Sequence, residues 1–217
     1  MALTVSLLPL ALLLAQQPDA PAIVQPGAPG MASKILTPET AIVPRRAPQE
    51  ADISFMQGMI MHHSQAVEMT DMMPTRTRNK ALLELGKRIS ISQTDEIKYM
   101  KQWLEMYGQP TTMPHHMGSQ MNGMAHAEMK MEMPMLMPGM LSPEQMTALA
   151  KAKGATFDRL FLTGMIQHHG GALTMVQDLF ATPGAGQETI LYDFATDIDN
   201  TQRAEINIMQ NMLKEKK

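Results

Sequence analysis

The chain has 217 residues, 18 basic against 21 acidic side chains, a net charge of −3, and no cysteine. This excludes disulfides, thiolate catalysis, zinc fingers and cysteine-ligated iron–sulfur clusters, and it gives no electrostatic footprint for nucleic acid or an anionic membrane. One Trp, three Tyr and five Phe are too few for a base-stacking platform, whereas 25 Met exceed what gap-filling in a core requires.

Val5 to Ala15 is an apolar run too short to span a bilayer, which needs about 20 residues. It reads as the core of a secretory signal over residues 1–15, with Ala15 as a cleavage point and export to the periplasm or the medium. Residues 16–50 contain Pro18, Pro21, Pro26, Pro29, Pro38, Pro44 and Pro48. They read as an extended, mostly disordered tether. No stretch of the chain alternates with period two over a useful length, so no sheet is expected.

From residue 51 the chain is organised by an internal duplication. Asp52 to Met69 reads DISFMQGMIMHHSQAVEM and Asp158 to Met175 reads DRLFLTGMIQHHGGALTM, at a constant offset of 106. Downstream, Gln93, Glu96, Ile97, Met100 and Leu104 recur as Gln202, Glu205, Ile206, Met209 and Leu213 at an offset of 109. Each repeat reads as two amphipathic helices. The first carries the stripe Asp52, Phe55, Met59, His62, Ala66, Met69, Met73, and its twin is Asp158, Phe161, Met165, His168, Ala172, Met175, Leu179. Steps of 3 and 4 residues define one buried face. The second carries Leu82, Gly86, Ile89, Gln93, Glu96, Met100, Trp103, Tyr107, with the twin Leu191, Ala195, Ile198, Gln202, Glu205, Met209, Met212. Pro74 and Pro183 punctuate the turns, and Gly108 and Pro110 end the second helix. Ser142-Pro143-Glu144-Gln145 opens a short helix that Gly154 is expected to stop. Two hairpins predict an all-α four-helix bundle over 51–217. Its parts are repeat one at 51–110, a Met/His-rich linker at 111–140 and repeat two at 142–215.

Bundle cores are usually aliphatic, yet His62, Gln93 and Glu96 fall on core stripes and are duplicated as His168, Gln202 and Glu205. A hydrogen bond that fixes helix register would explain a lone buried histidine. A duplicated Met-x-x-His-His points instead to a metal. Met59 shares a helix face with His62 or His63, and Met165 with His168 or His169. The two imidazoles of a pair lie about 100° apart, which predicts one inner and one rim position. Met69 and Met175 lie two turns on and belong to the same or a neighbouring site. Met100 and Met209, with Glu96 and Glu205, come from the facing helices. Soft thioethers mixed with imidazoles favour copper, Cu(I) first and Cu(II) second, and Ag(I) by the same softness; the glutamates ligate or orient a ligating histidine.

Residues 111–140 contain ten Met, among them Met113, Met117, Met121 and Met124, together with His115, His116 and His126. Such a loop is longer than compact domains usually carry. It reads as a collector of Cu(I), the rival being a Met-rich surface for a partner protein.

The segments MIMHHSQAVEM and MIQHHGGALTM, followed by QTDEIKYMKQWL and QRAEINIMQNML, resemble the bacterial domain-of-unknown-function family 305, whose copper-binding members are the CopM-like periplasmic proteins. The resemblance covers about residues 50–215. It implies a ferritin-like four-helix bundle that is exported, binds copper through Met and His, and contributes to copper tolerance. By match of motif it carries over Met59, His62, His63, Met69, Glu96 and Met100, and Met165, His168, His169, Met175, Glu205 and Met209. Gly170-Gly171 departs from the pattern and is expected to loosen the second helix motif by about 1 kcal/mol per glycine.

The function expected is copper sequestration or carriage in the cell envelope, exchanging with a copper donor or acceptor protein, without catalysis. A copper-dependent oxidase and a structural bundle with a Met-rich partner surface are the rivals. Di-iron chemistry is disfavoured because the chain has no Glu-x-x-His pair and one core glutamate per repeat.

Overall fold

Helix α1 (Glu50–Asp71) starts at Gln49, which forms a reciprocal capping box with Asp52. Such a box satisfies two backbone N–H groups that a helix start leaves open. The structure, a computed structural model, describes residues 22–37, 40–41, 46–113 and 136–214. The chain divides into two units, the second beginning at Arg46. The signal reading and most of the Met/His-rich linker fall outside the described residues.

The first unit corrects the tether reading. Strands β1 (Ile23–Gln25) and β2 (Lys34–Leu36) pair antiparallel, with Val24 opposite Ile35. Three-residue strands that are mostly exposed on both faces carry no period-two signature, which is why the sequence pattern misses them.

In the second unit α1 is followed by the single turn α2 (Met73–Arg76), with Pro74 in its first turn, and by α3 (Lys80–Met106), capped by the Asn79 side chain. Ser142 and Gln145 form the expected capping box of α4 (Pro143–Lys151). Gly154 does not stop that helix. The chain is already extended at Ala152, and Gly154, at φ +56°, opens α5 (Gly154–Ala181). Helix α6 (Thr189–Lys214) completes the bundle.

Helices α1 and α3 pack as one hairpin, α5 and α6 as the other, and α1 lies against α5. Two apolar clusters fill the interior. One holds Phe55, Met56, Met59, Met100, Trp103, Ala172, Met175, Leu191 and Ile198. The other holds Ala66, Met69, Leu82, Ile89, Phe157, Phe161, Met165 and Met209. Every long helix therefore runs from one cluster to the other. Between them, at mid-helix, each contributes polar residues: His62 and His63, Gln93 and Glu96, His168 and His169, Gln202 and Glu205. Helices α3 and α5 run the same way, so their connection must traverse the length of the bundle. This is the single long crossover that some four-helix bundles use.

The repeats clasp each other at their turns. Asp52 Oδ1 accepts from the Gly186 N–H at 2.7 Å, and Asp158 Oδ2 accepts from Asn79 Nδ2 at 3.2 Å. Each aspartate thus ties the start of one hairpin to the turn of the other. Buried Glu188 accepts from Leu191 N–H at 2.9 Å and from Trp103 Nε1–H at 3.0 Å, joining the start of α6 to α3.

The connection returns as a strap, residues 137–141, laid across α1 and α5. The Gln65 side chain pairs with both backbone groups of Leu141, at 3.0 and 2.7 Å. Gln167 Nε2 donates to Gly139 O at 3.2 Å. A Cβ on Gly171 would stand 1.9 Å from Pro138 O. That glycine therefore admits the strap instead of loosening the helix, and α5 is continuous through it. Gly170 has nothing within 4 Å of a Cβ position.

The neighbouring glycines should respond oppositely. Gly170→Ala is expected to stabilise by about 0.5–1 kcal/mol through helix propensity. Gly171→Ala is expected to destabilise by about 1–3 kcal/mol through overpacking against the strap. Urea unfolding followed by circular dichroism measures both.

Candidate metal centre

Four imidazoles occupy the polar layer, and all four are fully buried. This corrects the expectation of a rim histidine. Helix α1 is covered by α5 on one side and α3 on another, so two side chains about 100° apart are both enclosed.

His62 and His168 meet where α1 crosses α5, with ring centroids 3.7 Å apart. His168 Nε2–H donates to His62 O at 2.9 Å, and His62 Nε2–H donates to Pro138 O at 3.1 Å. A carbonyl can only accept, so both rings carry their proton on Nε2. Burial, with the neighbouring imidazoles second, lowers the His62 pKa to about 3 and holds His168 well below its ordinary value. Both rings are neutral, and their Nδ1 lone pairs have no hydrogen-bond partner among the described residues.

His63 and His169 face outward to their own hairpin partners. His63 Nε2 bonds Glu96 Oε2 and His169 Nε2 bonds Glu205 Oε2, each at 2.6 Å. Their Nδ1 atoms also lack partners among the described residues. Burial pushes the Glu96 carboxyl up, but hydrogen bonds from His63 and Ser92 and the His63 charge outweigh it and leave it below the usual range. Glu96, one-fifth exposed, lines a groove between α3 and α6 with Asp95, Asp193 and Asp197.

Among the described residues no three His, Asp or Glu side chains converge on one point as a metal-holding group. The methionines adjoin this layer on both sides. Met59, Met100 and Met175 share the first cluster, and their repeat twins Met165, Met209 and Met69 share the second. Met69 therefore packs with the methionines of the other repeat. Of the linker candidates, Met113 is described. Met117, Met121, Met124, His115, His116 and His126 lie outside the described residues.

The residues that sequence reasoning passed over are those that hold the crossover: Gln57, Gln65, Pro138 and Gln167. A signal for them exists. At the offset of 106, Gln57 faces Thr163, Gln65 faces Gly171 and Gln167 faces Met61. The repeats differ where the connection docks.

The donor set suits a soft ion: neutral thioethers beside the neutral imidazoles of His62 and His168, whose Nε2 is already fixed by an acceptor.

The sequence profile of DUF305, a domain of unknown function, matches residues 52–213. A DUF305 protein from Streptomyces coelicolor, named as a candidate secreted protein, is 25% identical over 76% of this chain and 93% of its own, with a TM-score of 0.62. A DUF305 fragment from Deinococcus radiodurans is 26% identical over 78% of this chain and 99% of its own, with a TM-score of 0.61. CopM in its Cu(I)-bound form is 27% identical over 77% of this chain and 98% of its own, with a TM-score of 0.55. No curated protein matches the sequence. No helix among the described residues is long and apolar enough to cross a membrane.

The central histidine pair makes the metal-free protein sensitive to acid. His62 and His168 bind protons more weakly folded than unfolded, so the unfolded chain gains protons first as pH falls below about 6.5. Stability should drop by about 1.4 kcal/mol per pH unit for each histidine between there and the folded pKa. Thermal unfolding of wild type and His62→Gln at pH 7, 6 and 5 measures it, with the shallower slope in the variant.

Proposed function

The chain belongs to the DUF305 family, and we propose that it is a copper-binding protein of the cell envelope that holds Cu(I) through methionine and histidine. The observation that carries this reading is the layer of four buried imidazoles, each with an unpartnered Nδ1, between two matched sets of buried methionine thioethers. Leaving such nitrogens dry and unpaired costs about 1–3 kcal/mol each; a bound soft cation offsets that cost. The similarity to CopM, which is known in Cu(I)- and Ag-bound forms, supports the same reading.

In this proposal Met59, Met100 and Met175 serve one half of the bundle, and Met165, Met209 and Met69 the other. His62, His63, His168 and His169 supply nitrogen. Glu96 and Glu205 orient His63 and His169. The role is sequestration or carriage that contributes to copper tolerance, not catalysis. The absence of Glu-x-x-His from the sequence supports that. The apolar run Val5–Ala15 supports export.

Anaerobic loading with Cu(I), desalting and elemental analysis test the reading. Wild type should retain copper in preference to zinc. Met100→Leu and Met209→Leu keep the apolar volume and should each weaken Cu(I) at least about tenfold, roughly 1.4 kcal/mol, in competition with a Cu(I) chelator. Wild type that returns free of copper overturns the proposal and leaves the structural bundle.

A further inference from the structure

We propose that Met113 and Met137 join Met175 in an all-thioether site for a monovalent soft cation above Gly58, adjoining the bundle site through Met175. This rests on the copper reading and adds to it two donors from outside the duplicated motif.

The geometry is local and specific. Met137 Sδ, Met175 Cε and Met113 Cε stand 3.4, 3.4 and 3.5 Å from the point a Cβ on Gly58 would occupy. Three thioether ends from three separate segments thus surround one atom-sized space in the wall of α1. These are ordinary van der Waals separations, so the glycine is not there to avoid a clash. A metal–sulfur bond is about 2.3 Å. Met137 Sδ would draw in by about an ångström to make one, and Met113 and Met175, whose methyl carbons face that point, would turn their sulfurs toward it, which the flexible unbranched chain of methionine permits.

Both flanks of the crossover are pinned so that these ends meet. Buried Gln57, next to Gly58, donates from Nε2 to Pro110 O at 2.7 Å and so fixes the chain three residues before Met113. On the return side, Gln65, Gln167 and His62 hold residues 138–141. The Met140 sulfur accepts the Met137 N–H at 3.4 Å, which ties the strap residue Met137 from its other side.

Comparison of the repeats separates a ligand trio from ordinary packing. Gly164 is the twin of Gly58. The same point there meets Leu141 Cδ2 at 3.0 Å and Met69 Cε at 3.4 Å. Met69 is the twin of Met175, and a leucine fills the space that Met113 and Met137 share on the other side. Packing alone is met by leucine in one repeat; in the other the chain places two more sulfurs. The bundle therefore has one such site, not two. The three atoms nearest that point among the described residues all belong to methionines, so these donors are neutral and soft and select Cu(I) or Ag(I) over zinc or calcium. Met175 belongs to both this trio and the first core set of methionines, so the trio adjoins the bundle site at the point where both ends of the crossover meet it.

Silver(I) is a diamagnetic probe for this. The full-length protein, labelled with carbon-13 at the methionine methyls, is titrated with silver nitrate and assigned with single Met→Leu variants. The methyl signals of Met113, Met137 and Met175 should move together in one step that saturates at one ion. In Met113→Leu/Met137→Leu, silver capacity should fall by one ion with unchanged helical circular dichroism and unchanged imidazole shifts. Silver uptake that moves the bundle methionine and histidine signals, Met175 included, but leaves Met113 and Met137 still overturns the trio alone. No response from any methionine or histidine overturns the copper reading with it. The wild-type titration decides the matter even if the double variant fails to fold.

Discussion

A buried imidazole must give its N–H to an acceptor, and this chain has four of them in the middle of one bundle. The acceptors are a helix carbonyl, a strap carbonyl and two glutamates. Much else in the molecule follows from supplying them. Glu96 and Glu205 sit at the edge of the layer, where partial exposure lowers the cost of a carboxylate. The strap crosses α1 where His62 needs a partner. The two apolar clusters lie on either side because no aliphatic side chain can replace a member of the layer without stranding its partner.

Duplication supplies most of this, and one departure from it completes the rest. Twofold symmetry would send His62 Nε2–H to the carbonyl of His168, as His168 Nε2–H goes to the carbonyl of His62. It goes to Pro138 instead. The crossover has displaced the symmetric partner, and the substitutions that admit it are those where the repeats disagree: Gln65 against Gly171, and Gln57 against Thr163. Gly171 gives the strap its depth and Gln65 grips it. A segment rich in methionine is thereby held at both ends against one half of an otherwise repeated bundle.

The bundle was legible because 3- and 4-residue steps of apolar side chains over five turns leave no other period, and because two copies of the pattern agree. The polar layer was legible for the same reason: His62, Gln93 and Glu96 fell on stripes that had to face inward. What failed was what depends on neighbours distant in sequence. Burial of His63 requires knowing that α3 covers the second face of α1. The company of Met69 requires knowing that α1 and α5 lie antiparallel, which brings the end of one beside the start of the other. Gly171 read as a helix weakness because the carbonyl it accommodates is 33 residues away in the chain. The hairpin at β1 and β2 was too short for any pattern to register.

The charge state of the layer bears on the proposed chemistry. Metal ligands usually have to shed a proton, so affinity falls as acidity rises. A thioether has none to lose. His62 and His168 are already neutral, held so by burial, and their Nε2–H bonds point the remaining lone pair away from the acceptor. For these donors the work of deprotonation is done by folding, before any ion arrives. A monovalent ion brings only one charge into a dry interior, and the carboxylates of Glu96 and Glu205 stand one imidazole away to balance it. A divalent ion would bring twice the charge, with no three hard ligands among the described residues gathered to meet it. The same burial that weakens the metal-free fold in acid is therefore what favours the soft, singly charged guest.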